Sequence, residues 1–234
     1  MDYNAIPLNR DLRASARQDL KGAWGKMALA TFVWLLLLQG PMYLFMDTSD
    51  FGFFNPLHNP VLYTLSIIAV LVLAWPFALG VCGFFLKRIR REEISVRNIF
   101  DGFERFGSSF LLGFFYMLFV SLWSLLLIVP GIVKAVSYAM AYYIMYDDPE
   151  IRPLEAIKKS KAMMHGYKWQ YFKLHLSFIG WVLLGVLPLG IGLLWVYPYM
   201  FLADAHFYEN LKRNQKQPVA ERASLGVVHD FSQR

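Results

Sequence analysis

Residues Leu122–Met164 read LWSLLLIVPGIVKAVSYAMAYYIMYDDPEIRPLEAIKKSKAMM. An apolar run, a Pro-Gly pair, a second apolar run, an acidic stop and a basic helix follow one another. That order is expected of two membrane helices joined as a hairpin and delivered onto an amphipathic helix at the membrane surface. Pro130 and Gly131 are the expected break of the hairpin, and Asp147, Asp148 and Pro149 its end. Pro153 and Glu155 suit the first turn of the helix that follows.

Outward from this stretch the same grammar recurs. The chain is 57% hydrophobic and 17% charged, against roughly 45–50% and 25% for soluble domains, so a bilayer is the expected solvent. Six apolar segments are expected to span it: Met27–Met46, Val61–Leu86, Ser109–Val129, Ile132–Tyr146, Tyr171–Leu187 and Leu193–Tyr208. The expected class is all-α, a polytopic membrane helical bundle of six transmembrane helices with basic amphipathic interfacial helices. Its parts are a cytoplasmic amphipathic segment 1–26, a membrane domain 27–208 and a cytoplasmic tail 209–234. Residues 1–26 lack the apolar core of a cleavable signal peptide. Leu12, Ala16, Leu20 and Ala23 or Trp24 recur at helical spacing, with Arg10, Arg13, Arg17 and Lys21 opposite, which suits headgroups. In 87–106, Ile99, Phe100, Phe103 and Phe106 make a second amphipathic face.

Of the 23 Lys and Arg, 22 fall in the four segments that a six-span reading leaves on one side, with Lys134 left over. The excess of cations next to short loops puts both termini in the cytoplasm. A net charge of +6, arranged as a belt beside apolar segments, selects anionic lipid headgroups rather than nucleic acid as partner. Along 152–169, Lys158, Lys161, His165 and Lys168 follow one face and Ile157, Ser160, Met164 and Tyr167 another. The first set is the candidate docking face for lipid or a partner protein. A homo-oligomer or larger membrane complex stays open.

Two ionisable residues fall inside expected spans and are candidates for an ion-linked role. Lys134 follows the Pro-Gly pair and is expected on the extracytoplasmic side, within snorkelling reach of the interface. Asp204 is expected in the inner half of the membrane, or reaching a basic loop near His206 and Glu209. These two belong to opposite leaflets and are not expected to pair. Pro188, Gly190 and Gly192 break the last pair of segments, and Gly80 and Gly83 allow close helix packing. Gly131-Ile132 and Gly190-Ile191 match at an offset of 59 residues, which hints at repeated hairpins.

Enzymatic chemistry finds little footing. Glu92-Glu93-x-x-x-Arg97 and His206-x-x-x-Asn210 resemble motifs of intramembrane CAAX-type proteases, but the acids sit on a basic loop and no second histidine motif lies at membrane depth. The single Cys82 and the scattered His58, His165, His175, His206 and His229 make no ligand set. No cofactor or metal is expected.

The 122–150 block, then EAIKKSKAMMHG at 155–166, FKLHLSFIGW at 172–181 and GIGLLWVYPYMFLADAHFYENL at 190–211 resemble the signature blocks of the domain of unknown function 975 family. Its members are bacterial integral membrane proteins, mainly of Gram-positive bacteria, and the resemblance runs from about Leu12 to Leu211. A weaker similarity, through Ser160, Met164 and Gly166, links the chain to the membrane region of glycerophosphodiester phosphodiesterases. The resemblance implies a multi-pass protein of the bacterial plasma membrane and brings no activity with it. The expected function is therefore a non-enzymatic scaffold or accessory factor binding anionic lipid or a partner complex. The alternatives are a small transporter or channel subunit using its Pro/Gly-broken helices, and an intramembrane protease.

Overall fold

The computed structural model describes residues 6–45, 60–187 and 190–216, all helix and connection with no strand among them. Pro188, the 47–59 loop with His58, and the tail beyond 216 with His229 lie outside the described residues. The elements are α1 (Asn9–Leu20), α2 (Trp24–Phe45), α3 (Pro60–Ile89), a 3₁₀ helix (Val96–Arg105), α4 (Phe106–Leu126), α5 (Ile128–Tyr138), α6 (Ala141–Asp147), α7 (Pro153–Met163), α8 (Lys168–Leu176), α9 (Ile179–Val186) and α10 (Leu193–Lys216).

Three of the described helical stretches, Val61–Ile89, Val96–Leu126 and Ile128–Asp147, are long and apolar enough to cross a membrane; α1 and α2, bent by 99°, make a fourth if they are one span. The fifth and sixth expected spans fall short for local reasons. α8 and α9 have 9 and 8 residues and are separated at Ser177–Phe178, and α10 carries Asp204, His206 and Glu209 before it ends at Lys216.

The molecule divides into a packed end and an apolar, exposed one. α3 shows this within one helix of 30 residues, about 45 Å long and so longer than a hydrocarbon core of about 30 Å. Val61, Leu62, Leu65, Ile68, Leu71 and Leu73 are exposed, whereas Phe77, Leu79, Val81 and Phe84 to Leu86 are buried. The buried half meets the 3₁₀ helix, α6 and α10. Gly80 and Gly102 make that contact possible: a methyl on either would overlap a backbone carbonyl, that of Ile99 or of Pro76. Gly83 seats the Tyr146 ring of α6.

The hairpin breaks elsewhere than at Pro130-Gly131. Leu127 alone is extended, with φ −162° and ψ 143°, and α5 restarts at Ile128. Proline fits the first turn of a helix, where no N–H partner is required, so Pro130 lies within α5. Gly131 packs instead on Ser124 of α4, where a Cβ would overlap that side chain, and Tyr116 Oη donates to the Ala135 carbonyl one turn further along. Of the other expected breaks, Gly190 has φ +82°, a left-handed turn that suits glycine, and Gly192 lies against Gly185 across that turn.

The amphipathic segments bury their apolar faces in protein. Leu12, Ala16 and Leu20 of α1 are buried where α1 meets α10 and α8. Ala156, Ile157, Ser160 and Met163 of α7 are buried against α4, α5 and α6. Neither helix offers that face to a lipid surface as its sequence pattern predicts.

Candidate functional site

Lys87 to Arg91 close α3, and each cation in that run goes to a different group. Glu92 N–H donates to the Lys87 carbonyl and Arg91 N–H to that of Arg88. This is a Schellman ending with Arg91 in the left-handed position, at φ 64°, where glycine is usual. The turn fans the side chains outward. Lys87 Nζ lies 2.9 Å from Asp101 of the 3₁₀ helix. Arg88 donates from Nε and Nη2 to the Asp19 carbonyl at 2.9 and 2.7 Å, capping the C-terminal end of α1. Arg91 lies 3.5 Å from the Asp19 carboxylate.

Arg90 is the centre of the largest group. Its guanidinium bridges Asp147 of α6 at 2.7 Å and Glu209 of α10 at 2.5 Å. Lys212 also pairs with Asp147, and Tyr208 Oη donates to it at 2.8 Å. Burial works against the charge of Arg90, yet hydrogen bonds to Asp147 and Glu209 outweigh it and hold the guanidinium above its ordinary pKa. Arg105 donates to the Met145 carbonyl at 2.8 Å. Cations that sequence reasoning assigned to headgroups are thus engaged within the protein.

The 152–173 segment differs. Lys158, Lys159 and Lys161 are exposed and Lys168 half-buried; among the described residues none of them has a carboxylate within ion-pair distance. His165 is exposed on the same stretch. Ser160 fixes this face in place: its hydroxyl donates to the Ser137 carbonyl at 2.9 Å and accepts from Met140 N–H at 3.2 Å. It thereby satisfies backbone groups released where α5 gives way to α6. α7 therefore climbs along α5 and α6, and it carries its lysines up with it. Lys134, expected on the opposite side, lies within electrostatic reach of Lys161 and Lys168, with its ammonium 4.1 Å from the centre of the Trp123 ring.

Asp204 meets neither Lys134 nor a basic loop. Its Oδ1 lies 3.4 Å from His175 Nε2 and makes no hydrogen bond of good geometry. His175 Nδ1 lies 3.3 Å from the Tyr171 carbonyl. Both groups facing the imidazole are acceptors. Tyr171, Tyr143 and Cys82, all buried, are within electrostatic reach of Asp204.

Two pairings eluded the sequence, His175 with Asp204 and His206 with Asp19 at 2.7 Å, because they join residues 29 and 187 apart. Asp19 did carry a signal: it falls in the Leu12, Ala16, Leu20 stripe of α1 and is 5% exposed. His206 faces Asp19, Asn210 donates to the His206 carbonyl, and Glu92 and Glu93 are exposed. Among the described residues no three His, Cys, Asp or Glu side chains gather as a metal site.

Charges collected at a packed end, beside helices apolar enough to cross a bilayer, define a class of all-helical protein with an exposed hydrophobic zone. Within that class, the family described as Protein of unknown function (DUF975) matches over residues 7–138 and 125–215, and the chain belongs to it. Comparison with curated proteins and with solved structures found no match.

Proposed function

We propose that this chain is a non-enzymatic integral protein of the bacterial plasma membrane, a scaffold or accessory factor that engages anionic headgroups or a partner complex through the lysine face of α7 and α8. In this reading six apolar segments cross or enter the bilayer and both termini are cytoplasmic. Contact between α1 and the C-terminal half of α10, through Asp19 and His206, supports the placing of both ends on one side. The exposed leucines and isoleucines of α3, α4 and α9 support lipid contact.

One observation carries the docking reading: Lys158, Lys161 and Lys168 have no acidic partner among the described residues, whereas the cations of 87–91 are engaged. Each lysine near an anionic surface contributes about 1 kcal/mol. The K158Q/K161Q/K168Q variant, purified in mild detergent, should therefore retain at least about tenfold less anionic phospholipid than the wild type. Equal phospholipid content in the two preparations would remove the docking face.

The half-buried Asp204–His175 pair favours a second reading, a transporter or channel subunit in which a proton or cation passes through that pair. Asp204→Asn should then abolish ion- or proton-dependent flux in proteoliposomes. Flux unchanged by the substitution, or absent from the wild type, excludes that reading.

A further inference from the structure

Between α5 and α8 runs an open groove of about 400 Å³ lined by Val129, Ile132, Val133, Val136, Trp169 and Phe172, with Lys168 on its rim. Over the seven-residue advance from Val129 to Val136 it extends about 10 Å along α5. Its walls are hydrocarbon and aromatic carbon. An extended peptide laid there would leave backbone N–H and C=O groups unpaired, whereas an acyl chain carries none. Lys134 follows the groove-lining Val133 and lies within electrostatic reach of Lys161 and of Lys168 on the rim, and none of the three has a carboxylate partner among the described residues. Three like charges beside a strip of hydrocarbon are complementary to one kind of molecule.

We propose that this groove binds a single anionic phospholipid, with its phosphate among Lys134, Lys161 and Lys168 and one acyl chain along Val129–Val136 and Phe172. The inference rests on the membrane reading above and sharpens it from a charged face to a defined site. Lys134 is the diagnostic residue, because a general attraction between α7 and the membrane surface does not involve it. Val133 is the other, because filling the groove leaves every charge in place.

The test is native mass spectrometry of detergent-purified protein equilibrated with equal amounts of phosphatidylglycerol and phosphatidylcholine of identical chains. The wild type should keep one phosphatidylglycerol in preference to phosphatidylcholine. Val133→Trp and Lys134→Gln should each reduce that retention about fivefold, Lys159→Gln, outside both the groove and the docking face, should not, and inorganic phosphate should not displace the lipid. If Val133→Trp fails to fold, Lys134→Gln decides alone, since it removes no ion pair. Equal retention of the two lipids, displacement by inorganic phosphate, or full retention in folded Val133→Trp or in Lys134→Gln overturns the site. Should the groove variants retain lipid while K158Q/K161Q/K168Q loses it, the site falls and the docking face stands. Should all of them retain it, both fall.

Discussion

Residues 87–105 and residues 152–173 each carry six Lys or Arg, and by sequence both are basic amphipathic segments beside a membrane helix. In the first, Lys87 pairs within the segment with Asp101, and Arg88, Arg90, Arg91 and Arg105 reach carboxylates or carbonyls of α1, α6 and α10. In the second, no Lys or Arg has a carboxylate partner among the described residues. The difference follows from side-chain chemistry. The first segment has five Arg and one Lys, the second five Lys and one Arg. A guanidinium is a planar fork, weakly hydrated and suited to bridging fixed acceptors, whereas an ammonium is a strongly hydrated point charge on a flexible stem. Arginine makes most of the ties within the packed end, with Lys87 and Lys212 beside it; the lysines of 152–173 are left without such ties among the described residues. Net charge alone conceals this, because it counts the two sets alike.

The comparison breaks most visibly at Arg90. Arg90→Ala leaves Asp147 with Lys212 and Tyr208 and takes from Glu209 its Arg90 partner. Stranding a fully buried charge costs about 3–5 kcal/mol; with the Arg90 side chain 28% exposed, solvent screening brings the expected loss to about 2 kcal/mol. Thermal unfolding in detergent should show it, and Arg90→Lys should restore only part, because one ammonium cannot reproduce both arms of the fork. At the other end of the scale, K158Q/K161Q/K168Q should shift stability by less than about 0.5 kcal/mol while changing lipid content. A large loss of stability in that variant would mean that its lysines, too, are structural.

The helical class and the places where apolar segments begin were legible in composition and in run length, since both report burial in a low-dielectric medium directly. The amphipathic faces of α1 and α7 were legible as well, but periodicity cannot say whether an apolar face meets lipid or protein. Ile157 and Ser160 look alike in either case until Ser160 is found bonded to Ser137 and Met140. Pro130 misled because proline stops a helix only when it is not in the first turn. The site suffered more. Cation counting placed Lys134 by the polarity of its neighbours in sequence, whereas its surroundings are set by how far α7 climbs. The His175–Asp204 pair depends on the antiparallel register of α8 and α10, which no local pattern records.

The central claim, that the cations of one basic segment are consumed within the fold while the lysines of the other have no carboxylate partner among the described residues, is tested most directly by amine-reactive labelling of the delipidated protein in detergent, with rates read lysine by lysine by mass spectrometry. Lys158, Lys159 and Lys161 should react well before Lys87, held by Asp101, and Lys212, held by Asp147. Equal rates across the five lysines would contradict the claim.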